Sequence, residues 1–245
     1  MTDLDRFARE LAVVVAEGGR EGPRRIVELC VAQLPVTGAG ITLMSTPDRQ
    51  EPLWSSDEVA ARIDELQFQL GEGPCVDAFA LQRVVLVPDV ADERDDRWPL
   101  FAPAARKTPA RALVVLPLRG EDARIGVLDF YRDQPGIPGP ADLAAVQRAA
   151  DATFWSLLEL RRGRTLDDRG APTATEDDPA GWLRESPLEH TDVYQASGMI
   201  IAQLDVSADS ALARLRAYAF LHDRPIAEVA RDVVARRLRF SEEDE

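Results

Sequence analysis

Apolar side chains at Leu4, Phe7, Ala8, Leu11, Val14 and Val15 recur at three- and four-residue spacing, which predicts an amphipathic helix over residues 4–17. A second helix is expected over 22–34, opened by Gly22-Pro23. The period then shortens. "GAGITLM" and "EPLWSS" read as strands flanking the turn "STPDRQ", and residues 57–69 return to a helical pattern. "RVVLVPDV" is an apolar strand ended by Pro88, and "RALVVLPLRGEDARIGVLDFY" is a hairpin of two β-branched runs around a polar turn. From about Pro140 to Arg164 the helical period resumes. Leu143, Val146, Ala150, Thr153, Leu157 and Leu160 form a seam of nearly three heptads, suited to another helix or a second subunit. The matching stripe on residues 4–17 predicts that this first helix pairs with it. Helices outside and antiparallel strands in mid-chain make an α+β pattern.

The stretch "RRGRTLDDRGAPTATEDDPAG" has almost no large apolar residue and cannot bury enough surface to offset its ordering entropy. The chain therefore divides into an α+β unit over 1–165, a linker over 166–186, a three-helix bundle over 187–240 and an acidic tail over 241–245. In the bundle, Val193, Ala196, Ile200 and Leu204 share one face of the first helix. Ser207 is placed to cap the second, with Asp209 at the positive end of its dipole and Ala211, Leu212, Leu215 and Ala219 as its buried stripe. Pro225 opens the third, whose Ile226, Val229, Ala230, Val233 and Val234 face inward. Gly198 costs the first helix about 1 kcal/mol relative to Ala. Together with Ala196 and Ser197 it would let another helix or a ligand approach the backbone closely.

Charge and chemistry narrow the functions. The 245-residue chain carries a formal charge of −14, which argues against a general coat for nucleic acid or anionic membrane. Between residues 188 and 240 seven Arg balance seven Asp and Glu, so any basic site there is local. Cys30 and Cys75 are too few for a disulfide framework and form no CxxC pattern. Neither a signal peptide nor an apolar run long enough to cross a bilayer is present, so a cytoplasmic protein without membrane attachment is expected. His190 and His222 both lie in the bundle, leaving the α+β unit no His for haem iron or zinc. No phosphate loop, metal cluster or catalytic triad is visible. A thiol reductase would want a resolving Cys near the first, and Cys30 lies in a different helix from Cys75. No catalytic residue, cofactor or metal is expected, and the protein reads as a non-enzyme.

"QASGMIIAQLDVSADSALARLRAYAFLHDRPIAEVARDVV" resembles an ANTAR domain, the RNA-binding antiterminator module of bacterial regulators. Ala196, Gly198, Ser207, Ala211, Leu215, Arg216, Ala219 and Val229-Ala230 carry the likeness over about 50 residues. It departs at Ser197, where the family usually has Lys, and at His190, near a common family Arg; both changes remove positive charge from the first helix. The resemblance implies binding to RNA hairpins in leader transcripts, as a homodimer. Ala196, Ser197, Arg214, Arg216, Tyr218, Arg224 and Arg231 are the candidate RNA-contacting residues, Tyr218 by stacking on an unpaired base. Arg236, Arg237 and Arg239 read as cations at a helix C-terminus.

In the α+β unit, Gly71-Glu72-Gly73-Pro74-Cys75, Asp77-Ala78, Asp89, Arg97-Trp98-Pro99, Pro117-Leu118 and Ile125-Gly126 resemble a GAF domain, a small-molecule sensory module often fused to ANTAR domains. The resemblance implies a central antiparallel sheet with helices on both sides. It also implies a ligand held between the sheet and segments near 73–82 and 97–106, with Cys75, Phe79, Trp98 and Phe101 as candidate lining. Collapsed GAF pockets that serve only dimerisation are the alternative. Cys75 follows Pro74 at a helix start, where the dipole could lower its pKa for redox sensing; a plain buried small residue is the other reading. Two functions follow: a signal-responsive antitermination regulator, or a signalling scaffold whose divergent ANTAR bundle binds a protein partner.

Overall fold

The computed structural model describes residues 3–121, 123–167 and 190–241. Most of the expected linker and the acidic tail lie outside them. The elements run α1 (Asp3–Glu17), α2 (Gly22–Gln33), β1 (Gly38–Thr46), β2 (Arg49–Ser55), α3 (Glu58–Leu70), α4 (Pro74–Leu81), β3 (Val85–Val87), α5 (Phe101–Ala105), β4 (Ala112–Arg119), β5 (Arg124–Arg132), α6 (Pro140–Asp167), α7 (Thr191–Leu204), α8 (Ala208–Leu221) and α9 (Ile226–Val234). The α+β expectation holds. Five strands form one antiparallel sheet in the order β2-β1-β5-β4-β3, and the expected hairpin is the central pair β4–β5. "RVVLVPDV" contributes only three strand residues, because Pro88 cannot extend the ladder.

Strand alternation sends two sets of side chains to opposite faces. Ala39, Ile41 and Leu43 of β1, with Val114, Leu116, Leu128 and Phe130, pack against α1, α2 and α6. Met44, Leu113, Val115, Val127 and Tyr131 face α3, α4 and α5. The α1 stripe packs against α6, as its spacing predicts, and Val146, Ala150, Thr153 and Leu157 of the α6 seam are buried. That seam is filled by α1, α2 and the sheet of the same chain, so its heptad spacing records an intrachain core. Trp155, on another side of α6, remains half exposed.

The bundle forms as the capping pattern dictates. Ser207 Oγ accepts the Ser210 N–H at 3.2 Å, and Pro225 directly precedes α9. Ala196 is fully buried in the bundle, and Ser197 donates to the Val193 carbonyl at 3.0 Å. Neither leaves a gap at the backbone. Gly198 is different: it is exposed, and a Cβ built on it would meet nothing within 4 Å. Gly198→Ala therefore recovers the helix-propensity loss without a clash. Amide exchange in α7 should slow about five-fold, the equivalent of ~1 kcal/mol. Unchanged or faster exchange would show that the open space around Gly198 is occupied.

Candidate functional site

Two places collect the sequence-predicted residues: the interior between the sheet and α3–α5, and the seam where the bundle meets α3.

The interior is framed by motif residues bonded to one another. The Glu72 carboxylate accepts the N–H groups of Leu100 and Phe101 at 2.6 and 2.7 Å, capping the start of α5. Trp98 Nε1 donates to Asp77 at 3.2 Å, tying the segment before α5 to α4. Gln67 accepts the Cys75 N–H at 2.7 Å and donates to Cys75 Sγ at 3.0 Å. Cys75, Phe79, Trp98 and Phe101 are brought together in one buried cluster, with Trp98 and Phe101 edge to face at 6.2 Å. Burial pushes the Cys75 thiol well above its usual value, and Asp129 and Asp64 push the same way. The dipole effect at Pro74 is overridden. Cys75 is a buried thiol, not an activated one, and burial likewise raises Cys30, to about 12.

The sequence reading missed the two acids. Asp64 of α3 and Asp129 of β5 are buried beside Cys75, and the ligand atoms of all three lie within 4.8 Å of one another. Gly40 makes room for them: a Cβ there would lie 2.6 Å from Asp64 Oδ2 and 2.9 Å from Asp129 Oδ1. Burial is the main cause raising Asp129 to about 7; a hydrogen bond from Asp64 opposes the rise. Burial thus favours the protonated form of Asp129, which lies close to Asp64. The three groups are chemically able to ligate a divalent metal if that proton leaves. The available signal was register: Asp129 alternates with Val127 and Tyr131, which places it on the inward face.

The seam is built on Phe68. This α3 side chain is 1% exposed and belongs not to its own domain's cores but to the buried core of the bundle, the cluster that holds Val193, Leu215 and Val229. Its ring stacks on His190 at 3.4 Å and meets Tyr194 edge-on at 6.0 Å. His190 Nδ1 lies 2.8 Å from the Gln50 carbonyl, to which it donates, and Nε2 lies 3.2 Å from Glu65. The Tyr194 hydroxyl donates to the Gln50 carbonyl and accepts the Gln50 N–H, both at 2.8 Å. Arg216 closes the seam. Its Nε donates to the Phe68 carbonyl at 2.9 Å, its Nη1 pairs with Asp48 at 2.6 Å, and its guanidinium lies over the Phe68 ring. Gly71, left-handed at the end of α3, leaves space for it: a Cβ there would be 2.7 Å from Arg216 Nη1.

The candidate RNA residues are thus dispersed. Ala196 and Ser197 are buried in the bundle, and the Arg216 side chain is 11% exposed and engaged with α3 and Asp48. Arg224 pairs with Asp232 at 2.7 Å. Tyr218 stacks on His222 at 3.9 Å and meets Phe240 edge-on. Arg214 is partly buried, and Arg231 is exposed, its Nε donating to the Ala227 carbonyl. Phe220 and Leu221, 60% and 78% exposed, were not singled out from the sequence.

Comparison with known proteins accords with this organisation. Residues 23–153, more than half of the chain, match the GAF domain family, and the chain belongs to it. Residues 183–234 match the ANTAR domain family, so a sensory-type module precedes an output module of an RNA-binding class. The GAF domain of a phosphoenolpyruvate-protein phosphotransferase from Coxiella burnetii is similar in fold, at 11% identity and TM-score 0.52, covering 66% of this chain and 97% of that one. The corresponding GAF domain from Acinetobacter gives 11% identity and TM-score 0.52, covering 67% and 99%. At such identity the likeness shows the fold alone. No curated protein matches the chain. Among the described residues, no helix is long and apolar enough to cross a membrane.

Two outcomes test this geometry. Phe68→Ala removes a ring from the bundle core, a class of change that costs about 3–5 kcal/mol. Amide exchange in α7–α9 should rise steeply while β4 and β5 stay protected; Asp48→Asn, which removes only the ion pair, should act in the same direction more weakly. Uniform protection in both variants would contradict the seam. For Asp129, the folded-state value near 7 exceeds the ordinary 3.8. The unfolded chain therefore loses its proton first, and stability falls as pH rises from about 4 to about 7. Asp129→Asn should flatten that fall and be the more stable protein above pH 7, measured by denaturant titration. An unchanged pH profile would contradict the raised Asp129.

Proposed function

We propose that the protein is a signal-responsive antitermination regulator. Its ANTAR bundle binds RNA hairpins in leader transcripts, and its GAF domain acts as the sensor or dimerisation module. In this reading the protein is a cytoplasmic homodimer without enzymatic activity. The observation that carries the reading is the ANTAR match over a chain segment that folds as the three-helix bundle α7–α9. The seam adds a physical link from sensor to output. Arg216, a candidate RNA contact, is bonded to α3 and Asp48 of the GAF domain, so it would reach RNA only when the bundle leaves that surface. Ser197 contributes no charge, and the exposed Arg231, Arg236 and Arg239 would supply the initial attraction to phosphate.

A second reading, a scaffold whose bundle binds a protein, is favoured by the adjacent exposed side chains Phe220 and Leu221.

Selection from a pool of transcribed leader hairpins, at two salt concentrations, separates the two. The regulator reading expects hairpin selection that weakens with salt. Arg216→Ala and Arg224→Ala should each reduce affinity and lower the log–log salt slope by about one. Asp48→Asn, which removes one of the two bonds that hold Arg216 to the GAF domain without altering Arg216 itself, should raise affinity. No selection over nonspecific RNA by a folded protein would favour the scaffold.

A further inference from the structure

A cleft of about 600 Å³ runs along the seam between α3 and α5 on one side and α8, α9 and their connecting loop on the other. None of Cys75, Phe79, Trp98 or Phe101 lines it, so it is separate from the interior between sheet and helices. Its volume is that of a small-molecule site. Its charge runs against the rest of the molecule. In a chain of formal charge −14, this cleft is lined by Arg62, Lys107, Arg216 and Arg224 and a single acid, Asp223, although Arg216 and Arg224 are also paired with Asp48 and Asp232 outside the lining.

The state of these cations is informative. The side chains of Arg62 and Lys107 are exposed and make no hydrogen bond or ion pair with the described residues, although acids outnumber bases across the chain. Arg216 uses Nε and Nη1, but its Nη2 is buried with no hydrogen-bond partner, a state that normally costs a donor dearly. Pro225 and Ile226 bring the positive end of α9 to the same cleft. Between the cations lie Leu66, Leu100 and Phe220, the last two partly open to solvent.

We propose that this cleft binds a small organic anion, with a phosphate or carboxylate head between Arg62, Lys107 and Arg216 and an apolar body along Leu66, Leu100 and Phe220. Because its walls belong to two domains, such a ligand holds the bundle against α3, and its binding energy is available only to the docked arrangement. Ligand binding stands on the cleft alone; its consequence for RNA rests on the reading above.

Octyl phosphate, 1-octanol and inorganic phosphate are suitable probes, titrated by calorimetry into the full-length protein with no RNA present. Octyl phosphate should bind at least about ten-fold more tightly than octanol, and than phosphate, because only it presents both parts. The double variant Arg62→Gln/Lys107→Gln, altered only at exposed side chains, should lose most of the advantage over octanol. Equal binding of octyl phosphate and octanol, or an unaltered double variant, would overturn the site. The second result would place the ligand elsewhere in the fold. Hairpin affinity is a separate measurement: a site confirmed here with no RNA binding would refute only the RNA reading.

Discussion

Phe68 belongs by sequence to the GAF domain and by packing to the ANTAR bundle. Three helices of nine to fourteen residues have a small shared core, and small cores are marginal. Borrowing one aromatic ring from α3 enlarges that core and fixes the bundle's position. The contacts around it extend this anchor: His190 stacks on one side, Tyr194 grips the Gln50 backbone, and Arg216 spans from the Phe68 carbonyl to Asp48. The surface ion pair alone would contribute little. Here it is mostly buried and bonded to a backbone carbonyl as well, so removing either partner leaves a polar group stranded.

This arrangement joins the parts of the molecule into one chain of dependence. Asp64, Gln67 and Phe68 lie on the same helix, α3, and face three different environments: the acid pair with Asp129, the Cys75 loop, and the bundle core. Anything that shifts α3 from inside the GAF domain is felt at the seam within one helical turn. Interiors are packed too densely to absorb such a shift locally. The buried Asp64–Asp129 pair lies inside the domain and the cationic cleft at its border, and α3 contributes to both.

Most of the fold was legible because its elements obey local rules. The helix stripes, the Ser207 cap, Pro225 and the β4–β5 hairpin all appear as expected, and the family motifs placed both modules in order. The long seam on α6 was legible as a seam but not in its partner, because a heptad stripe records only that something apolar covers it. The candidate site was read less completely. Arg216 was recognised as a cation, but its engagement with Asp48 joins residues 168 positions apart, which periodicity cannot show. Phe68 was not singled out, being one apolar position on a helix that is buried on more than one side. Asp64 and Asp129 were overlooked because carboxylates are ordinarily solvent-facing, and only their register against Val127 and Tyr131 points inward.

Under the proposed function, the bundle is held on α3 and must leave it to bind RNA. Both native cysteines are buried, so spin labels can be directed to exposed sites in an Arg83→Cys/Ala202→Cys variant, one on each domain. Pulsed dipolar spectroscopy then gives the interdomain distance directly. A single narrow distribution in the free protein, displaced or broadened by a bound leader hairpin, is the predicted result. The same narrow distribution with saturating RNA bound would contradict the account.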